Sequence, residues 1–196
     1  MPVRLELPIF PLNTVLYPAG VLPLRIFEQR YLEMTKACLR DGSPFGVCKI
    51  REGREVGLPA IPEQIGCTAM IHSWEMPHPG MFHLQTRGVQ AFRILENSLR
   101  ENGLIQAQIE MLEDVHDAAD NAVSPLCRQV LGKAIQQLGP EFFPPPRDFT
   151  NVRWVSYRLA EVLPLPGEIK QALLEEREDA ARLARLHKLL ATVQSV

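Results

Sequence analysis

Prolines decide what the first part of this chain can become. Residues 7–34 read LPIFPLNTVLYPAGVLPLRIFEQRYLEM, in which Pro8, Pro11, Pro18 and Pro23 separate short apolar runs. Each proline fixes its own φ, withholds an amide donor and pushes the preceding residue towards extended backbone. Up to about Leu24 the stretch therefore reads as strand, turn, strand, with the prolines at edges or bulges. Pro18-Ala19-Gly20 is the turn, and Gly20 is expected to carry the positive φ. Beyond Arg25 the period changes. Phe27, Tyr31, Met34 and Cys38 share one helical face, which predicts a helix near 27–40 ended by Gly42.

From Phe45 to Leu112 the pattern is extended. Phe45–Ile50 alternates up to a charged tip at Arg51–Glu55. Gly66–Trp74 supplies another strand, with Ala69, Ile71 and Ser73 on one face and Met70, His72 and Trp74 on the other. Met76-Pro77-His78-Pro79-Gly80 reads as a hairpin turn, followed by Phe82–Thr86, a break at Gly88, and Ala91–Leu95. Leu104–Glu110 is the clearest strand and follows a turn at Glu101-Asn102-Gly103. Several short strands with short turns and one early helix point to a small closed or half-closed barrel.

At His116–Asp120 an acidic connector begins. Ser124 is a good N-cap with Pro125 at the first helical position. Val123, Leu126, Cys127, Val130, Leu131, Ala134, Ile135 and Leu138 then keep helical spacing up to Gly139-Pro140. Further helices are expected near 152–163, 168–176 and from Asp179 onward. They would bury Val152, Val155, Leu159 and Val162, then Ile169, Leu173 and Leu174, then Leu183, Leu186, Leu190 and Val193. The expected organisation is α+β, with a β-rich lobe over residues 1–115 and a helical lobe over 116–196.

The opening run resembles the amino-terminal, substrate-binding domain of Lon proteases. The family's elements correspond to Leu7–Leu12, Pro18–Gly20, Leu22–Leu24 and Phe27–Tyr31, with Ala19 in the turn as a small departure. Arg87, Gly88, Phe92, Arg93 and Ile94 match a second family element, and Leu163–Pro166 with Lys170–Glu175 a third. The resemblance implies a PUA-like β pseudobarrel with one early helix, followed by a C-terminal α-helical lobe. It further implies a non-catalytic module that recognises unfolded or apolar polypeptides. Such a module holds clients, acts as an adaptor, or recruits them to a protease or chaperone machine.

Two other classes compete. A PUA-like barrel is a possible RNA binder, but the basic residues are dispersed and the formal charge is −2, against the usual nucleic-acid footprint. A hydrolase would need chemistry that the sequence does not display. Gly132-Lys133 is followed by Ala134, has Cys127 where a phosphate loop needs glycine, and lies in a helical stripe. Neither Gly-x-Ser-x-Gly nor His-Glu-x-x-His occurs. Lon proteases add ATPase and peptidase modules after this domain, and neither is expected before Val196. The run Glu175, Glu176, Glu178, Asp179 reads as a solvated helix face. Glu28 reads as structural, favouring the helix start or pairing with Arg25 or Arg30.

His72, His78, His83 and Cys67 fit no zinc spacing, so neither metal nor cofactor is expected. Cys38, Cys48, Cys67 and Cys127 form no close pair and read as buried thiols of a reducing compartment. Arg4 and Glu6 interrupt any leader-like run, and no apolar stretch approaches a membrane span. The expected location is cytoplasmic. Methionine, phenylalanine and proline concentrate in two places outside a periodic stripe. Met76, Met81 and Phe82 form one set, and Phe142, Phe143 and Phe149 around Pro144–Pro146 the other. Each set either folds down onto the core or, because adaptable apolar side chains of this kind suit promiscuous peptide recognition, supplies the partner-binding residues, and these six are the candidates.

Overall fold

A computed structural model describes residues 3–115 and 123–194. The connector expected at 116–120 and the side chain of Val193 lie outside what is described. The chain is mixed α+β, with a β-rich sheet first and helices in its C-terminal part. It packs as two compact units, Met1–Leu112 and Glu113–Val196.

In the first unit, β1 (Arg4–Leu12), β2 (Val21–Ile26), α1 (Gln29–Asp41), β3 (Phe45–Glu52), β4 (Ile61–His78), β5 (Met81–Leu99) and β6 (Ile105–Met111) follow in order. The sheet order is β2-β5-β4-β3-β1-β6, and β5 pairs again with β6. The strands β1, β3, β4, β5 and β6 thus close a ring, with β2 hung on β5 outside it. Among the strand pairs of the described residues only β1 and β3 run parallel, and α1 lies in the connection between them. The long β5 makes this possible. Its first part, Phe82–Arg87, has β2 on one side and β4 on the other, and its second part, Phe92–Leu99, takes β6 where β2 has ended.

Both faces of the ring strands are buried. Leu7, Ile9, Cys48, Phe92, Ile94, Ile105 and Ile109 form one core cluster. Phe10, Leu12, Phe45, Val47 and Ala69 form a second with Tyr31, Leu32, Met34 and Cys38 of α1. Burial on two faces explains why β1 and β3 read as apolar runs rather than strict alternation.

Several expectations are corrected in detail. The residue with positive φ in the first turn is Ala19, at φ 61°, and not Gly20. Gly20 N–H donates to Tyr17 O at 2.9 Å, so Pro18 and Ala19 are the central residues of the turn. Positive φ belongs at the second of these positions when proline holds the first. Phe27 precedes the helix and is exposed, since Glu28 is the N-cap. The hairpin strands continue through Met76 and His78, leaving Pro79-Gly80 as the turn, and β5 runs unbroken past Gly88.

The second unit holds α2 (Pro125–Leu138), a 3-10 turn at Pro140–Phe142, α3 (Val152–Val162), α4 (Gly167–Glu175) and α5 (Asp179–Gln194). Ser124 Oγ accepts from Cys127 N–H at 3.2 Å, and Asn151 Oδ1 caps α3 through Trp154 N–H at 2.8 Å. Cys127, Leu131, Ile135, Val155, Leu159, Leu173, Leu174, Leu183, Leu186 and Leu190 are buried, whereas Leu138 at the end of the α2 stripe is exposed.

Candidate functional site

The six expected binding residues do not share one environment. Phe82 is 3% exposed and Phe143 2%, so both are core side chains and offer no surface. The period of β5 explains the first: Phe82 points the same way as buried Leu84 and Thr86. Met76 is exposed in β4, Met81 is half-buried, and Trp74 packs edge-on against Phe82 at 5.5 Å. Phe142 is exposed, and Phe149 is half-buried against Trp154 with ring centroids 5.4 Å apart.

A better-formed site lies where the family resemblance is densest. A cavity of about 270 Å³ is lined by Phe10, Leu12 and Thr14 of the first strand and its connection. Leu22 to Glu28 and Tyr31 line it from β2 and the helix start, and Glu55 and Val56 from the loop before β4. Two of the lining residues are large apolar groups in water, Phe27 at 52% exposed and Val56 at 57%. Val56 also lines a second hollow of about 500 Å³ with Leu58, Pro59 and Ile61. Glu55 Oε1 accepts from Asn13 N–H at 2.5 Å, which fastens this loop to the β1–β2 connection. Apolar side chains held exposed beside a concavity are uncommon unless something binds there.

The signal for this site was partly present in the sequence. Leu22–Tyr31 carries the resemblance, but a helical period assigned Phe27 to the core. Val56 and Leu58 followed a charged tip and had no periodic pattern to mark them.

Glu28 and Tyr31 line the groove, and Arg30 lies against both. Buried Arg30 pairs with Glu28 at 2.9 Å, donates to Gly103 O at 3.4 Å, and lies 4.7 Å from the Tyr31 ring centroid. Burial pushes the Tyr31 phenol up to about 12 from its ordinary 10.0, against the lowering effect of Arg30 and with a smaller rise from Glu28. The sign follows directly. The folded protein resists losing this proton, so the contribution to stability is complete below pH 10 and is lost as pH rises towards 12. The urea midpoint should therefore fall on passing from pH 9 to about 11.5, with a smaller fall in Tyr31→Phe. An equal fall in the variant would assign the effect to other groups.

The helical unit has a polar centre of its own. Asp114 accepts from the Tyr157 hydroxyl at 2.8 and 3.0 Å, and it pairs with Arg153 at 2.6 Å and Arg177 at 2.8 Å. Arg182 lies 4.0 Å from the same carboxylate and 3.7 Å from the Tyr157 ring centroid, and it also binds Asp179. Asp179 is buried, which corrects its assignment to a solvated acidic face. Arg182 Nε also donates to the buried Ser156 hydroxyl at 2.9 Å, so these members hold one another in place. Among the described residues no group of His, Cys, Asp and Glu could hold a metal ion. No helix among them is long and apolar enough to cross a membrane.

An α+β chain with a ring-closed barrel, an early helix and a helical C-terminal part is one defined class of fold. Residues 6–192 match the family described as the ATP-dependent protease La (LON) substrate-binding domain, and the chain belongs to that family. A Lon protease of Anaeromyxobacter dehalogenans is 29% identical over 94% of this chain, which spans 23% of that protein. The crystal structure of a Lon N-terminal domain protein from Xanthomonas campestris is 32% identical, with a TM-score of 0.75 over 94% of this chain and 98% of that one. The N-terminal domain of a Mycobacterium avium complex Lon protease shares the fold at 16% identity and a TM-score of 0.66, covering 95% of this chain and 98% of that one. The chain thus spans about a quarter of the length of the protease relative.

Proposed function

We propose that this chain is a non-catalytic polypeptide-binding module whose β2–α1 groove holds apolar segments exposed by unfolding. The observation that carries the reading is that Phe27 and Val56 line a cavity on a closed barrel frame while exposed to water, with exposed Leu58 beside Val56 in the second hollow. A rigid frame holds such side chains in water without ordering them anew at each encounter, which lowers the entropic cost of binding. Membership in a family of substrate-binding domains supports it, and the likeness to relatives named Lon proteases is consistent with delivery of held clients to a proteolytic machine. Met76 and Phe142, both exposed, are proposed as secondary contacts, each within its own unit.

The test is binding of a labelled, reduced and carboxymethylated polypeptide by fluorescence anisotropy. Phe27→Ser combined with Val56→Ser should weaken binding by about tenfold, the scale expected for two exposed apolar anchors. The thermal midpoint should stay within about 2 °C, because neither side chain is core. Unchanged affinity in that double variant would remove the groove from the reading.

A further inference from the structure

We infer that the groove receives its polypeptide as an added β-strand, paired through the backbone to the free edge of β2 with an apolar side chain in the cavity; this rests on the polypeptide-binding reading above. The outermost strand of the sheet is β2, whose only neighbour among the described residues is β5. Gly88 N–H donates to Gly20 O at 2.8 Å, which makes the 20–88 position a hydrogen-bonded pair. In an antiparallel ladder such pairs alternate with pairs whose backbone groups point away. The register from Val21–Arg87 to Ile26–Phe82 has no shift, so Leu22, Leu24 and Ile26 bond to β5. Val21, Pro23 and Arg25 therefore present their backbone groups outward. Among the described residues no hydrogen bond takes them up.

The cavity runs along this edge. Leu22 through Phe27 line it consecutively, although neighbouring side chains of a strand point to opposite faces. Only the edge itself touches them all. Tyr31 also lines the cavity, and no hydrogen bond of its hydroxyl contributes to its raised pKa. A phenol facing the cavity is a donor suited to one carbonyl of an incoming strand.

Charge and sequence narrow the occupant further. Arg25 is exposed on this edge and lines the cavity together with Glu28 and Glu55, so a carboxylate is favoured only directly opposite the Arg25 guanidinium. Pro23 sits in the middle of the free edge and offers a carbonyl but no donor. Two copies of this edge facing each other would both lack that donor, whereas a foreign strand brings its own. The fitting partner is an extended segment with alternating apolar residues and a carboxylate, as an unfolded chain provides.

The probe is a fluorescent ten-residue peptide alternating valine with threonine and carrying one glutamate. It is compared with two versions N-methylated at alternate residues, one in each phase. Only one phase can face β2, so one methylated peptide should bind at least about tenfold more weakly and the other close to the parent. Saturation with the parent should slow amide exchange at Val21 and Arg25 by at least about tenfold. Tyr31→Phe should weaken binding about threefold or more at an unchanged thermal midpoint. Equal affinities for all three peptides, with no protection of those amides, would overturn strand addition. The groove reading would survive that result if Phe27→Ser still weakened the carboxymethylated polypeptide, and would fall with it if no unfolded chain bound at all. Protection of Val21 and Arg25 that rises with protein concentration in the absence of peptide would assign the edge to a second copy and also overturn the inference.

Discussion

Replacing Asp114 by alanine is expected to cost the C-terminal unit about 3–5 kcal/mol of stability. The carboxylate side chain is 1% exposed and faces Arg153 at 2.6 Å, Arg177 at 2.8 Å and Arg182 at 4.0 Å. It is also the acceptor for the Tyr157 hydroxyl. Removing the anion leaves buried Arg182 with Asp179 as its carboxylate partner, and strips Arg177 and the partly hydrated Arg153 of the carboxylate they share. That penalty greatly exceeds what a surface ion pair contributes. The chain has two tryptophans, Trp74 in β4 and Trp154 in α3. Trp154 fluorescence in a Trp74→Phe background therefore follows the helical unit alone. Its denaturation midpoint should drop sharply with Asp114→Ala and hardly at all with exposed Glu178→Ala. A loss below about 1 kcal/mol would mean that the arginines find other partners.

Gly88→Ala should be nearly as damaging to the barrel unit, at about 3 kcal/mol. A Cβ added there would lie 2.1 Å from the carbonyl oxygen of Tyr17 and 3.0 Å from its carbon. Those atoms are backbone, and the oxygen is held in place by Gly20 N–H at 2.9 Å, so no side-chain rotation relieves the clash. Gly88 also bonds the turn in both directions, accepting from Ala19 N–H and donating to Gly20 O, each at 2.8 Å. The turn would be pushed off β5, and β2 follows it directly. Val89→Ala, one residue on and exposed, is the control and should change stability by less than about 0.5 kcal/mol. Equal midpoints for the two variants would show that the turn does not need the close approach.

Local chemistry made much of the fold legible. Proline spacing marked β1 and β2 as extended, and Ser124-Pro125 and Gly139 marked both ends of α2, because caps and punctuators act within a few residues. The ring was not legible in that way. Its closure depends on β5 changing partners along its length, which no local period encodes. The same limit applied to the site. Phe82 stands at a hairpin turn and Phe143 beside a proline run, where no period decides between core and surface, and each turns inward. Phe27 looked like core because it falls in step with Tyr31 and Met34. Asp114 escaped notice because its partners, Arg153, Arg177 and Arg182, are far apart in sequence and follow no repeat.

The pairing of β1 has a consequence for when this protein can fold during synthesis. Arg4–Ile9 pairs with Ile105–Glu110, so the ring is completed by its first and last strands. At a ribosomal pace of roughly 5–20 residues per second, the N-terminal strand waits on the order of 5–20 s for its second neighbour. Throughout that interval one edge of β1 is unpaired while its apolar faces are already made. A nascent chain of this protein is therefore, for those seconds, the kind of polypeptide that chaperones attend.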